Sequence, residues 1–166
     1  MRTFTILIAA LALLAAVAPA RAVKLNTPAP GFTLTDLHGA KQSLAAQRGR
    51  VVILNFWSTS CAPCVAELPA LNKLHHDLRQ DGLTVLGIAL DQTDAPVREL
   101  ATKLKLTFPL MLDSDKDVYF DSYALFGQPV SIIIDRSGTV REQLVGPVEW
   151  GSRQVRDNIG RYLKGR

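Results

Sequence analysis

Phe56–Leu74 reads FWSTSCAPCVAELPALNKL and holds the only two cysteines of the chain, Cys61 and Cys64. Cysteines at C-x-x-C spacing can close a small redox-active disulfide. They can also supply two of the four thiolates of a zinc site, or form an inert bridge. The flanking sequence narrows these readings. Upstream, Val51–Phe56 (VVILNF) is a continuous apolar run of strand length. Downstream, Leu68, Leu71, Leu74 and Leu78 recur at three- and four-residue spacings, which predicts a helix over Ala62–Gln80.

A pair placed between a buried strand and the start of a helix has unequal members. Cys61 falls at the helix N-terminus, where unpaired N–H groups and the helix dipole favour a thiolate. Cys64 lies about one turn further in and is expected to be more buried. That asymmetry suits dithiol exchange, in which an accessible thiolate attacks and a second thiol resolves the mixed disulfide. Glu67 follows Cys64 by three residues, about 60° around the helix, close enough to accept its proton. Spacing alone leaves a plain surface glutamate equally open. Pro63 suits a first helical turn, whereas Pro69 predicts a kink or a break.

The rest of the chain alternates strand and helix patterns. Val23–Gly31 is a proline-marked lead-in, and the segments 32–35 and 41–44 flank a hairpin turn. Further strands are expected at 83–90, 109–112, 130–134 and 139–145, and further helices at 94–105, 115–125 and 148–163. Strands apolar on both faces, alternating with helices, predict an α/β domain with a covered mixed sheet. Gln128–Pro129 heads one of these strands, where proline costs little pairing. A trans bond is the default there.

With 166 residues, 48% of them apolar and 20% charged, the chain has the balance of one ordinary globular domain. Its first 22 residues differ. Arg2 precedes the uncharged run Phe4–Ala18, and Ala20 and Ala22 form an A-x-A site, the pattern of a cleaved signal peptide. The 15-residue run is short for a membrane span. Residues 23–166 then form the mature domain, exported to an oxidising compartment, the periplasm. A structural bridge there would usually close a long loop, and two intervening residues close almost none. Removing Arg2 and Arg21 takes the formal charge from +4 to about +2, and no basic stripe points to nucleic acid.

These residues together resemble the thioredoxin superfamily, and in particular its exported TlpA/ResA-like thiol:disulfide oxidoreductases. The resemblance rests on VVILNFWSTSCAPCVAELPAL, on Pro69, on the late Pro129 and on the I-I-I-D-x-x-G ending of Ile132–Gly138. It also takes in PAPGFTLTDLHGAKQSL as an N-terminal extension. The resemblance implies a thioredoxin-like fold, with an N-terminal hairpin and a central αβ insertion near Asp91–Asp117. It implies that Cys61 attacks, Cys64 resolves and Glu67 serves the pair. It further implies that Pro129 is a cis-proline facing the cysteines, with Gln128 and Trp57 beside it at the substrate surface. Two positions depart from the family pattern: Ser60 stands where tryptophan is usual, and Gln128 where small or β-branched residues are commoner. The implied activity is reduction of disulfides in exported partners, apocytochromes c among them, with no cofactor and with electrons from a membrane thiol donor; a monomer is the default expectation.

Two other readings compete with this one. A peroxiredoxin-type peroxidase wants P-x-x-x-[ST]-x-x-C. Ser58 fits that pattern, but Leu54 holds the proline's place. A copper chaperone would need a third ligand beside the two thiolates. The histidines at hand, His38, His75 and His76, read as solvated surface residues far from the pair.

Overall fold

The computed structural model describes residues 23–165, so the expected signal segment lies outside the described residues. A hairpin of β1 (Thr33–Thr35) and β2 (Lys41–Ser43) precedes a five-stranded sheet. The sheet comprises β3 (Val51–Trp57), β4 (Leu83–Ala89), β5 (Leu110–Leu112), β6 (Val130–Ile134) and β7 (Val140–Val145), in the order β5-β4-β3-β6-β7. The first three run parallel to one another, and β6 and β7 add antiparallel. The helices are α1 (Ala62–Leu78), α2 (Ala95–Leu104) and α3 (Arg153–Leu163).

All seven residues of β3 are buried, because both faces of the sheet are covered. Val51, Ile53 and Trp57 pack with Leu68, Leu71 and Leu74 of α1, Val97 of α2 and Ile159 of α3. Val52, Leu54 and Phe56 pack on the opposite face with Phe32 and Leu44 of the hairpin region and with Tyr119 and Tyr123. The alternation along one strand thus divides the core into two layers. At Gly87 a Cβ would come within 2.6 Å of Leu110 and 2.8 Å of Phe108, so β4 needs a residue without a side chain there. The α2–β5 segment, which falls in the expected central αβ insertion, extends the sheet at one edge.

Several expected elements differ in extent. In place of a helix over 115–125 there is a single π-type turn, Asp117–Ser122. The buried Asp113 carboxylate accepts the backbone N–H groups of Val118 (3.3 Å) and Tyr119 (2.9 Å), and Lys116 enters the turn at φ 62°. Those N–H groups and that dihedral are then not available to a regular α-helix. The last helix begins at Arg153 rather than Val148. Ser152 caps it by accepting the N–H of Val155, and the Val148 N–H is used elsewhere. Helix α1 runs unbroken through Pro69, whose ring faces outward. That rules out a break and leaves the Val65 carbonyl without its helical donor.

His38 and His76 are exposed, but His75 is buried and meets the Phe108 ring edge-on at 6.1 Å. Its place on α1, four residues after Leu71 and one after Leu74, turns it toward the sheet. Burial, together with the nearby Arg79, Arg50 and His76 charges, pushes its pKa from 6.5 down to about 4. The unfolded chain binds this proton below 6.5 and the folded chain refuses it until about 4. Stability should therefore be full above pH 6.5 and fall as pH drops through that window, by on the order of 2 kcal/mol. Urea midpoints between pH 7 and 4.5 test this. His75→Phe should flatten the fall, and an equal fall in both proteins would place the loss at other groups.

Candidate active site

The site lies where β3 gives way to α1. Strand β3 ends at Trp57, and the loop Ser58–Ser60 carries the chain to Cys61, the N-cap of α1. Cys61 and Cys64 form a disulfide with their Cα atoms 5.3 Å apart. Cys61 is partly exposed and Cys64 fully buried, the asymmetry expected from their places on the helix. The Cys64 N–H points at Cys61 Sγ at 3.3 Å. On reduction this N–H faces the Cys61 sulfur, so the first turn of α1 favours a thiolate there.

The loop before Cys61 is held from two sides. The Asp91 carboxylate, just beyond β4, accepts both the backbone N–H and the hydroxyl of Thr59. On the other side the Ser58 hydroxyl donates to Gln128 Oε1 at 2.8 Å and lies 3.3 Å from the Ser60 hydroxyl. This contact brings the segment before Pro129 against the loop before Cys61. The Gln128–Pro129 bond is cis, in place of the trans default. The Tyr119 hydroxyl donates to the Gly127 carbonyl at 2.5 Å, and the Gly146 N–H donates to the Pro129 carbonyl at 2.9 Å. Ser60, the position that departs from the usual tryptophan, is exposed, and Gln128 is partly so. Phe126, 77% exposed, and Phe120 continue this surface as a tilted aromatic pair.

Trp57 does not belong to that surface. It is 0% exposed and packs beneath the site in the layer that contains Cys64 and Leu68, so it cannot touch a partner. Its position in β3 turns its side chain to the helix-covered face. Pro129 is itself buried, at the floor of the segment that Gln128 leads.

Glu67 is buried, at 6% exposure, and not a surface glutamate. Its Oε1 accepts a hydrogen bond from Asn55 Nδ2 at 2.9 Å, and its Oε2 accepts from the Val148 N–H at 2.8 Å. Asn55 Nδ2 also donates to Ser131 Oγ at 3.0 Å. The registers explain the grouping, since Asn55 of β3 pairs with Ser131 of β6 directly under the first turns of α1. Burial pushes the Glu67 carboxyl above the usual carboxylate range, against the opposing pull of the Val148, Asn55 and Trp150 donors. The Trp150 indole N–H favours the charged form in this way but makes no formed hydrogen bond.

Asn55, Ser131, Val148 and Trp150 were not singled out in the sequence. A signal was present for the first two: one amide inside VVILNF and one hydroxyl inside VSIII. A polar side chain in a doubly covered strand needs a partner, and these two found each other. Val148 and Trp150 had no such signal, because both fell within a segment that reads as helix.

Among the described residues, no three His, Cys, Asp or Glu side chains gather at a place that could hold a metal ion. None of the described helices is long and apolar enough to cross a membrane. The model of the AhpC/TSA family matches residues 25–143. The chain is 32% identical over 142 residues to the thiol-disulfide oxidoreductase ResA of Bacillus anthracis, covering 86% of this chain and 78% of that one. It is 36% identical over 121 residues to the thioredoxin-like protein YneN of Bacillus subtilis, covering 71% and 69%. Among solved structures it resembles a thiol:disulfide interchange protein of the thioredoxin family from Chlorobium tepidum, with a TM-score of 0.73 and 30% identity over 84% of this chain and all of that one. A candidate DsbE from the same organism superposes with a TM-score of 0.79 at 26% identity, over 86% of this chain and 99% of that one.

The Asp91 carboxylate should matter to loop order more than to the fold. Asp91→Ala leaves the Thr59 N–H without its acceptor, at a cost of about 1–2 kcal/mol. Amide hydrogen exchange at Thr59, Ser60 and Cys61 should quicken, while exchange in β3 and β4 holds. Unchanged exchange in the loop would show that Asp91 is not its anchor.

Proposed function

The chain belongs to the AhpC/TSA family and is a thiol-disulfide oxidoreductase, and from that premise we propose that it works in the periplasm as a reductant of disulfides in exported proteins. The observation that carries this reading is the pairing of a helix-capping, partly exposed Cys61 with a buried Cys64 one turn above a buried carboxylate.

The proposed cycle starts from the reduced pair. Cys61 thiolate attacks one sulfur of a partner disulfide, that S–S bond breaks, and the first partner sulfur leaves as a thiolate. The Cys64 thiol gives its proton to Glu67 and attacks Cys61 Sγ. The mixed disulfide breaks, Cys61–Cys64 closes, and the second partner sulfur leaves as a thiolate that takes a proton from water. The partner gains two electrons and the pair loses two. Glu67 returns its proton to solvent, and a membrane thiol donor reduces Cys61–Cys64 for the next turn.

Pro129 and Gln128 are assigned to binding an extended segment of the partner beside Cys61. The exposed Ser60, Phe126 and Phe120 extend the same surface, and apocytochromes c are one class of partner that would present a suitable cysteine pair. The monomer is taken as the working unit. The peroxidase reading is disfavoured by Leu54. It is fully buried mid-strand between Leu86 and Ile132, and a proline there could not donate to a central ladder.

Two measurements test the proposal. Equilibration with glutathione buffers should give a reduction potential near about −270 mV, and a value near −120 mV would make the protein an oxidant instead. In stopped-flow thiol exchange, Glu67→Gln should slow closure of the mixed disulfide by roughly tenfold or more and leave the first attack by Cys61 nearly unchanged. Equal slowing of both steps would remove Glu67 from the proton-transfer role.

A further inference from the structure

The two oxygens of Glu67 have different partners. Oε2 faces a backbone N–H, that of Val148, which can only donate. A proton on Oε2 would point at another donor. Oε1 faces Asn55 Nδ2, also a donor in the oxidised protein. The two donors favour the charged carboxylate while burial opposes it, and the proposed cycle needs Glu67 to hold a proton for part of each turn.

Asn55 carries the means to resolve this conflict. Its Nδ2 makes both of its hydrogen bonds, to Glu67 Oε1 and Ser131 Oγ. Its Oδ1 is buried and has no hydrogen-bond partner. Turning the carboxamide over about its Cβ–Cγ bond therefore breaks no bond made by Oδ1. It brings Oδ1, with two lone pairs, to the place where Nδ2 stood. A protonated Oε1 could then donate to Oδ1, and the Ser131 hydroxyl, which both donates and accepts, could donate to it too. Two hydrogen bonds exist before the turn and two after it, and the turn leaves Nδ2 in the unpartnered place that Oδ1 held.

We propose that Asn55 is a positioning residue for Glu67, and that its carboxamide turns over when Oε1 receives the Cys64 proton. The inference rests on the reading of Glu67 as the proton acceptor. No electrons move in this step. The proton passes from Cys64 Sγ to Glu67 Oε1, the Asn55 N–H bond to Oε1 is replaced by an O–H bond to Asn55 Oδ1, and the turn reverses when Glu67 loses the proton to solvent.

No neighbouring charge fixes Glu67 in one state. The groups that act on Glu67 are the amide of Asn55 from β3, the N–H of Val148 and the indole of Trp150 from the segment before α3, and no charged side chain is among them. Ser131 of β6 reaches it through Asn55. A neighbouring cation would pin the carboxylate in its charged form, and a fixed donor at Oε1 would oppose the proton. A swivelling amide does neither.

Nuclear magnetic resonance on the reduced, isotope-labelled protein tests this directly. Above the Glu67 titration midpoint, the Asn55 side-chain amide protons should show contacts to Glu67 Hγ and Ser131 Hβ. Below it, those contacts should be lost. Glu67→Gln copies the protonated acid at every pH, so there the contacts should be absent throughout. Asn55→Leu, which can neither donate nor accept, should slow mixed-disulfide closure roughly tenfold and leave the first attack by Cys61 unchanged.

Contacts that persist through the titration, or in Glu67→Gln, would overturn the swivel and leave Glu67's own role intact. Normal closure kinetics in Glu67→Gln would instead remove Glu67 as the acceptor, while the amide contacts still report whether Asn55 turns. Should Asn55→Leu fail to fold, the measurements on the native chain and on Glu67→Gln decide the matter.

Discussion

The structure depends on β3 being buried on both faces. A strand covered on one side could alternate apolar and polar residues freely, but here every side chain of Val51–Trp57 must find an interior partner. That demand fixes the helix layer on one face and the hairpin and π-type turn on the other. It also fixes the position of Cys61, because the strand delivers the chain to the N-terminus of α1 at a set point above the sheet. Desolvation of the β3 backbone is compensated by ladders to β4 and β6 along nearly its whole length.

The same demand explains why a polar cluster survives inside an otherwise apolar layer. Burying an amide, a hydroxyl and a carboxylate separately would cost several kcal/mol. Brought together by the Asn55–Ser131 register, they satisfy most of one another's hydrogen-bonding capacity. The cluster sits one helical turn from Cys64, so chemistry that needs a proton acceptor away from bulk water has one supplied by the core. The groups left incompletely satisfied there are Asn55 Oδ1 and the Trp150 indole.

Much of this was legible in the sequence, for identifiable reasons. The apolar runs at 51–56, 83–90 and 130–134 read correctly as strands because doubly covered strands need no alternation. The Leu68–Leu78 spacing located α1 because Leu68, Leu71 and Leu74 are fully buried on one helix face. Readings failed where a side chain captured backbone donors that a periodicity argument assigns to a helix. Asp113 did so to Val118 and Tyr119. Burial of His75 was also illegible, since histidine is common at surfaces and only the register of α1 turns it inward. The resemblance supplied the pairing of Pro129 with the cysteine loop, which no local pattern contains.

The two positions that depart from the family pattern meet through one neighbour. Ser58 donates to Gln128 and lies beside Ser60, so the residues flanking the reactive sulfur and the proline share a single polar seam. Positions 58, 60 and 128 are therefore coupled through their side chains. A bulky aromatic restored at position 60, or a small residue at 128, alters what Ser58 has to bond with. Any single replacement among the three is for that reason felt by the other two, and its effect reports on the broken seam as well as on the residue exchanged.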